Sequence, residues 1–440
     1  MLNPFSDLSD DLCTQLQGDE VLTLFLRGEE SDFVRFNKGT VRQAGHVQQA
    51  TLELDLIDGS RHASARITLS GDPAIDRDRA ATQLSVLRDL IPYLPEDPYL
   101  LYSKDVQSTD RTAKNQLPES GEVVDSILGE CGGSDLVGIY ASGAIHTGFA
   151  NSLGQRNLFT TDSFHFDWSF YHQADKAVKC GYAGTEWELE AFQRKVESGR
   201  RQLGVIERSP RTIEPGRYRA YLAPTALYEI LSLMCWGGFG LKAQRTKRSP
   251  LLRAVEGEAH LKSGFDLREN TRDGLAPSFE SGGFLKPDQV DLFVDGNYKD
   301  PLVSPRSAQE YGVATNGAGS HERPESLDLG AGDLATDSVL QELGTGIYVN
   351  NLWYLNYSDR PSCRVTGMTR FATLWVENGQ VVAPVNVMRF DDTVYRILGE
   401  QLVGLTDSRE LLLDSGTYER RSTDSARLPG ALVDDLKLTL

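Results

Sequence analysis

The sequence predicts an α+β protein with two strand-meander-plus-helix modules followed by a larger, mainly β C-terminal domain. Three observations support this prediction. The chain has 440 residues, enough for two or three domains, and its 40% hydrophobic and 25% charged content is typical of a globular protein. Short alternating apolar runs are separated by glycine-containing turns, as expected of strands. A segment with helical periodicity follows each of the first two groups of strands, which is the plan of an α+β module.

The first module is predicted over residues 1–95. Strand-like runs fill residues 21–69, with turns expected at residues 27–29, 37–39 and 58–60. Residues 73–91 are predicted to form a helix, because Pro73 suits a first helical turn and Leu84 and Leu87 fall on one face. Residues 96–120 are rich in proline, aspartate and serine and are predicted to form a linker.

The second module, residues 121–213, repeats this plan. A helix is predicted at 122–131, strands between 136 and 182 with turns at 142–143 and 153–154, and a long helix at 185–203 with Thr185 as its N-cap. The C-terminal domain, residues 214–440, begins with a strand at 218–222. An apolar helix at 225–236 follows and ends at Gly237 and Gly238, and shorter helices are predicted at 305–311 and 393–403.

The stretch 344–389 is predicted to form a hairpin with a long polar loop. Strand-like runs occupy 347–354, 370–376 and 380–387, and Asn-Gly at 378–379 is a strong signal for a tight turn. The insert 356–366 concentrates charge, and its arginines could bind a carboxylate such as a peptide C-terminus, or could form a solvated ion-pair loop. An exposed strand here could also pair with an extended peptide. The peptide-binding candidates are Tyr354, Asp359, Arg360, Arg364 and Arg370.

Familiar catalytic signatures are missing from the sequence. None of the seven histidines belongs to an HExxH motif, and GxSxG and Walker A motifs do not occur. Cys363, beside Arg364, could have a lowered pKa and act as a nucleophile, or it could be an ordinary loop thiol. The five cysteines are scattered and odd in number, which suggests reduced thiols.

Charge and hydropathy limit the partners and the location. A formal net charge of −18 disfavours binding to nucleic acid. The first residues lack the basic and apolar regions of a secretion signal, and no apolar run is long enough to cross a bilayer. We therefore expect a cytoplasmic protein that binds neither nucleic acid nor membrane.

Several motifs in this order resemble one family. They are SDFVRFNKGTVRQ, GIYASGAIHTGFANSLGQRN, YRAYLAPTAL, GMTRFATLWVENGQVVAPV and the closing LPGALVDDLKLTL. Together they resemble the TldD/PmbA family (peptidase family U62, modulator of gyrase-like) along nearly the whole chain. The resemblance implies a dimeric, metalloprotease-related protein concerned with proteolysis of small or unfolded peptides and with peptide maturation.

The resemblance also implies two kinds of subunit. The TldD-like subunit carries an HExxxH helix and a cysteine near its C-terminus that bind the metal, and the PmbA/TldE-like subunit lacks them. Here Tyr228 and Leu233 stand at the two histidine positions, Glu229 is retained as a low-ranked catalytic candidate, and residues 421–440 contain no cysteine. Neither a phenol nor a leucine replaces an imidazole ligand.

The sequence thus predicts a PmbA/TldE-like subunit that is inactive alone and holds no metal. Zinc is expected in a TldD-like catalytic partner, which would form a heterodimer with this chain around an extended peptide. Two alternatives stay open at this point. The chain could be a self-sufficient peptidase that uses Cys363 or a non-standard metal site, or a purely structural or binding homodimer.

Overall fold

The structure is a computed structural model that describes residues 1–173 and 176–439. It confirms the predicted mixture of helices and sheets. The helices are α1 (Leu2–Cys13), α2 (Pro73–Leu90), α3 (Ser120–Glu130), α4 (Leu189–Ile206), α5 (Pro224–Cys235), α6 (Leu241–Arg245), α7 (Leu252–Val255), α8 (Pro305–Tyr311) and α9 (Val339–Leu343). Among the described residues, no helix combines the length and the apolar character needed to cross a membrane.

The strands belong to three sheets. They are β1 (Val21–Asn37), β2 (Thr40–Asp58), β3 (Arg61–Leu69), β4 (Thr109–Thr112), β5 (Asp135–Asn151), β6 (Arg156–Gln173), β7 (Lys176–Gly184), β8 (Gly216–Leu222), β9 (Leu267–Asn270), β10 (Gln289–Val294), β11 (Asn297–Tyr298), β12 (Ser326–Leu329), β13 (Gly346–Asp359), β14 (Arg364–Glu377), β15 (Gln380–Pro384), β16 (Arg389–Thr393), β17 (Leu402–Leu405), β18 (Glu410–Leu413), β19 (Ser425–Leu428) and β20 (Ala431–Leu438).

The strands of both predicted modules form one N-terminal sheet. Its order is β3-β2-β1-β5-β6-β4, and β7 pairs with β6. Antiparallel pairing of β1 with β5 joins the two halves along most of their length. Helices α1 and α2 bury their apolar faces against β1–β3, and α3 and α4 cover β5–β7 with an aromatic-rich core. The division of the chain at residues 95, 120 and 213 stays a prediction.

Two turns predicted in this region are wrong. At residues 27–29, β1 continues without a break, because Arg27 and Gly28 pair with β2 on one side and β5 on the other. At residues 142–143, β5 also continues, and Gly143 (φ +132°) lies opposite Ser31. A Cβ built on Gly143 would lie 2.2 Å from the carbonyl oxygen of Glu30, so this glycine permits close strand approach rather than a turn.

Helix boundaries differ from the predictions at three places. Helix α1 was not predicted, although Phe5, Leu8 and Leu12 are buried at helical spacing. Helix α4 begins at Leu189 after Glu188, so Thr185 is not its N-cap. The helix predicted at 393–403 is reduced to a short π-helical turn at Arg396–Glu400, because the chain then enters β17 and pairs with β20.

Two sheets of the C-terminal half enclose α5. One has the order β11-β10-β9-β12-β19-β18, and the other β13-β8-β20-β16-β14-β15 with β17 on β20. The buried side chains of α5, among them Leu227, Ile230 and Leu231, share one hydrophobic core with residues of both sheets. This packing fixes the helix that carries Tyr228, Glu229 and Leu233.

The hairpin differs from the prediction at its polar insert. Strand β13 extends to Asp359 and β14 starts at Arg364, so the predicted loop 356–366 is mainly strand with a four-residue turn. Alternate polar residues on an exposed hairpin end explain the loop-like composition. The predicted turn at Asn378-Gly379 is confirmed, with positive φ at both residues (+49° and +73°).

Candidate functional cleft

Two adjoining cavities form the candidate cleft: one lies within the C-terminal half, and the other lies between that half and the N-terminal sheet. The helix cavity, about 690 Å³, lies along α5 and is lined by Tyr228, Leu233 and Trp236 among others. The sheet cavity, about 740 Å³, lies on the face of β1–β3 and β5. The β18–β19 connection, residues 414–424, borders both, and four residues line both cavities: His321, Arg323, Asp414 and Asp424.

Helix α5 presents a neutral, largely apolar surface to the helix cavity. Pro224 occupies its first turn, and Ala223 before it is extended, so the helix starts directly at the end of β8. Tyr228 is half-buried, and burial raises the pKa of its phenol, which is therefore neutral. Leu233 is 6% exposed and contributes only methyl groups.

Glu229 does not line the helix cavity. It is half-buried and lies in a separate pocket of about 160 Å³ together with Asp167 and Lys179. Burial raises the pKa of the Glu229 carboxyl, with Lys179 opposing this effect and Asp167 adding to it. Glu229 is thus not among the residues that line the helix cavity, although Tyr228 lines both spaces.

The residues at the motif positions do not fit a zinc ion. Zinc sites in proteins use imidazole, thiolate or carboxylate donors, whereas Tyr228 offers a neutral phenol and Leu233 has no lone pair. Within residues 1–173 and 176–439, no group of three or more His, Cys, Asp or Glu side chains is placed to hold a metal ion.

The polar groups of the helix cavity come from segments distant in sequence. Arg323 Nη2 and Asp424 Oδ2 form an ion pair at 2.5 Å. Burial raises the pKa of the Asp424 carboxyl, and the guanidinium of Arg323 opposes this effect. Trp236, 64% exposed, lies at the rim. Sequence reasoning missed Arg323 and Asp424, because neither belongs to a motif and β12–β19 pairing brings their loops together.

Most of the predicted peptide-binding residues make contacts within the chain. Arg360 donates to the carbonyl oxygens of Trp236 (2.5 Å) and Arg248 (3.0 Å), so it ties the hairpin tip to the end of α5. Arg364 Nη1 pairs with Asp391 Oδ1 at 2.9 Å. Asp359 accepts a hydrogen bond from the Ser362 hydroxyl.

Tyr354 and Arg370 are the candidates that lie on the open hairpin surface. Tyr354 is 75% exposed and has a positive φ of +56°. The guanidinium of Arg370 lies 4.2 Å from the ring centre of Trp353, as in a cation–π contact. In the part of the chain that the structure describes, none of the five candidates lines either cavity. Their peptide-binding role stays a prediction.

The prediction that Cys363 could have a lowered pKa and act as a nucleophile is wrong. Its side chain is completely buried within the turn between β13 and β14. Burial raises the pKa of the thiol to about 12, and the nearby Arg360 opposes this only in part. A neutral thiol without access to solvent cannot attack a substrate, so this alternative for a self-sufficient peptidase is removed.

Arg421 fastens the β18–β19 connection to the N-terminal sheet. Its guanidinium donates to the Gly143 carbonyl (3.1 Å), to the Ser31 hydroxyl (3.3 Å) and to both oxygens of Ser163 (2.6 and 2.8 Å). Its backbone N–H donates to the buried carboxylate of Glu29. These bonds hold the wall that the two cavities share.

The fold and cavities define a class of α+β protein in which a two-sheet C-terminal half surrounds a helix beside a cavity of ligand-binding size. Residues 215–440 match the family model described as PmbA/TldA metallopeptidase C-terminal domain. The chain therefore belongs to this family, which confirms the resemblance found from the sequence. A comparison with curated proteins found no match.

Solved structures share the fold over almost the whole chain. TldE from Thermococcus kodakarensis has a TM-score of 0.77 at 13% identity, covering 99% of this chain and 100% of that one. A protein described as a modulator of a DNA gyrase from Thermotoga maritima has a TM-score of 0.76 at 14% identity, with 99% and 100% covered. Another so described, from Bacteroides thetaiotaomicron, has a TM-score of 0.75 at 15% identity, with 99% and 98% covered.

Proposed function

We propose that this chain is a PmbA/TldE-like, non-catalytic subunit of a cytoplasmic peptidase complex. The observation that carries the proposal is the chemistry of α5 beside the helix cavity. Tyr228 and Leu233 occupy the positions where metal-binding members of the family carry histidines, and Glu229 lies in a different pocket. The catalytic zinc would belong to a TldD-like partner.

The role of this subunit would be to enclose and orient a peptide. The two cavities measure about 690 and 740 Å³, and each is within the size range of ligand-binding sites. The ion pair of Arg323 with Asp424 and the exposed ring of Trp236 provide polar and aromatic contacts along it. The exposed surface at Tyr354 and Arg370 would extend the peptide contact or meet the partner.

The proposal is tested with the purified chain, alone and mixed with a TldD-like relative that carries HExxxH. Zinc content, native mass and hydrolysis of short unstructured peptides are measured for each sample. We expect substoichiometric zinc and no hydrolysis for the chain alone, and a zinc-containing, active heterodimer for the mixture. Stoichiometric zinc with hydrolysis by the chain alone would overturn the non-catalytic role. A stable homodimer that does not bind the TldD-like relative would refute the partnership.

A second measurement tests the hairpin surface in the active mixture. Arg370→Ala and Tyr354→Ala should raise the KM for peptide if this surface binds substrate, because a cation and an exposed ring are lost. Arg364→Ala is the matched control, since Arg364 is already paired with Asp391. Unchanged turnover for Arg370→Ala and Tyr354→Ala would remove these two residues from the peptide site.

A further inference from the structure

Among the described residues, the sheet cavity contains three arginines that have few ion-pair partners. Arg27 on β1, Glu53 on β2 and Arg66 on β3 share one face of the sheet. Glu53 lies opposite Phe25 and Arg66, and Arg27 is on the same face as Phe25 because it is two residues further along β1. Arg27 Nη1 and Arg66 Nη2 approach the same oxygen, Glu53 Oε2, at 3.5 and 3.3 Å. Both distances exceed those of strong charge-assisted hydrogen bonds.

A third guanidinium approaches this cluster from the opposite wall. Arg420 belongs to the β18–β19 connection, lines the same cavity and is close enough to Arg27 to disfavour its charge. Throughout residues 1–173 and 176–439, Arg420 forms no ion pair within 4.0 Å. Two of these three guanidinium groups thus share one carboxylate, and the third has no ion pair among the described residues.

Most of the other charged groups of the sheet cavity have partners of their own. Lys286 pairs with Glu325 at 2.5 Å, and Arg323 with Asp424. Glu280 accepts two backbone N–H groups, and Glu322 accepts from Ser304 and from the backbone of Lys242. Glu419 and Asp414 are exposed on the connection.

We propose that Arg27, Arg66 and Arg420 form a binding site for a carboxylate group of a peptide. Guanidinium groups present planar pairs of N–H donors that match a carboxylate. The guanidinium of Arg27 is held 4.3 Å above the Phe25 ring, which limits its motion before a ligand binds.

A peptide suits the surroundings better than a small inorganic anion. The cavity measures about 740 Å³ and shares the lining residues Arg323 and Asp424 with the helix cavity. The rings of Phe279 and Tyr418 lie among the lining residues, and Tyr418 is 92% exposed. The carboxylate could come from the peptide C-terminus or from an acidic side chain.

The site is a property of this chain and does not depend on the proposed partner. Binding is therefore measured on the chain alone, by calorimetry or fluorescence anisotropy with a labelled unstructured hexapeptide. Four probes are compared: a free or amidated C-terminus, each with a glutamate or a glutamine side chain. We expect binding that requires at least one carboxylate and weakens as ionic strength rises. If binding is lost on amidation, the site binds the C-terminal carboxylate. If binding is lost when glutamine replaces glutamate, the site binds the side-chain carboxylate.

Substitutions of opposite sign separate binding from structural effects. Arg420→Gln and Arg27→Gln should each weaken binding about tenfold or more, the value of one lost charge-assisted hydrogen bond. Glu53→Gln should strengthen binding, because it removes the competing internal carboxylate. Arg42→Gln is the matched control, since Arg42 is exposed on β2 and does not line the cavity.

Three results would overturn the proposal. One is that the amidated probe with glutamine binds as tightly as the probes that carry a carboxylate. Another is that Arg42→Gln weakens binding as much as Arg27→Gln or Arg420→Gln does, which would indicate general charge attraction. The third is binding of inorganic phosphate to the chain when none of the carboxylate probes binds. Arg420 is exposed, so its variant is expected to fold, and an unchanged melting temperature checks this.

Discussion

Replacing Arg421 by methionine should loosen the shared wall of the cleft. The side chain is 2% exposed and donates four hydrogen bonds to Ser31, Gly143 and Ser163. At about 1.5 kcal/mol for each bond to a charged group, their loss costs about 6 kcal/mol. Methionine is similar in length and fills most of the space.

Removing the charge also relieves an unfavourable burial. Burial lowers the pKa of Arg421 from 12.5 to about 10, and Glu29 opposes this effect. Each pKa unit corresponds to about 1.4 kcal/mol, so about 3 kcal/mol is recovered when the buried cation is removed. We therefore expect Arg421→Met to lower the free energy of unfolding by about 3 kcal/mol, within the range seen when a buried charge partner is deleted.

The neighbouring arginine provides the matched control. Arg420 is exposed and has no ion pair among the described residues, so Arg420→Met should change the unfolding free energy by less than about 0.5 kcal/mol. Urea unfolding of both variants measures the difference, and limited proteolysis reports whether residues 414–424 become accessible. Equal stability and equal proteolysis of the two variants would refute the anchoring role of Arg421.

Three other predictions follow from burial and backbone geometry. Gly143→Ala should destabilise the fold by about 2 kcal/mol or more in urea unfolding, whereas Gly45→Ala, with no atom near its added Cβ, should not. Burial raises the pKa of Glu269 to about 7 from 4.5, so wild type should lose stability relative to Glu269→Gln as pH rises from about 4.5 to 7; a pH-independent difference would contradict this. Cys363 is buried and the pKa of its thiol is raised to about 12, so it should react with a thiol reagent only after unfolding. Rapid labelling of Cys363 itself in the native protein would contradict its burial.

Local patterns predicted which segments become strands but not how long they are. Alternating apolar residues identified the runs on either side of residues 27–29 and 142–143. Continuity through Gly28 and Gly143 depends on pairing with neighbouring strands more than 100 residues away, which local sequence does not encode. The hairpin shows the same limit, because the polar residues 356–366 are ordered by β13–β14 pairing.

The candidate site was predictable where it lies on one helix and not where it is assembled from loops. Tyr228 and Leu233 could be located on α5 because the motif spacing is local. The charges of Arg323, Asp424 and Arg420 meet only after β12 and β19 pair. The arginines selected from sequence were those in one polar stretch, and Arg360 and Arg364 proved to be bound within the chain.

By itself the sequence determined the α+β class, the family and the apolar helix α5 that carries Tyr228 and Leu233. These properties follow from residue identity and short-range periodicity. The tertiary structure decided that both N-terminal modules share one sheet, that Cys363 is buried, and that Glu229 lines a pocket other than the helix cavity. It also placed Arg27 and Arg66 at one carboxylate and Arg420 in the lining of the same cavity. Burial and convergence depend on contacts between distant segments, and pairing of the strands across the three sheets establishes those contacts.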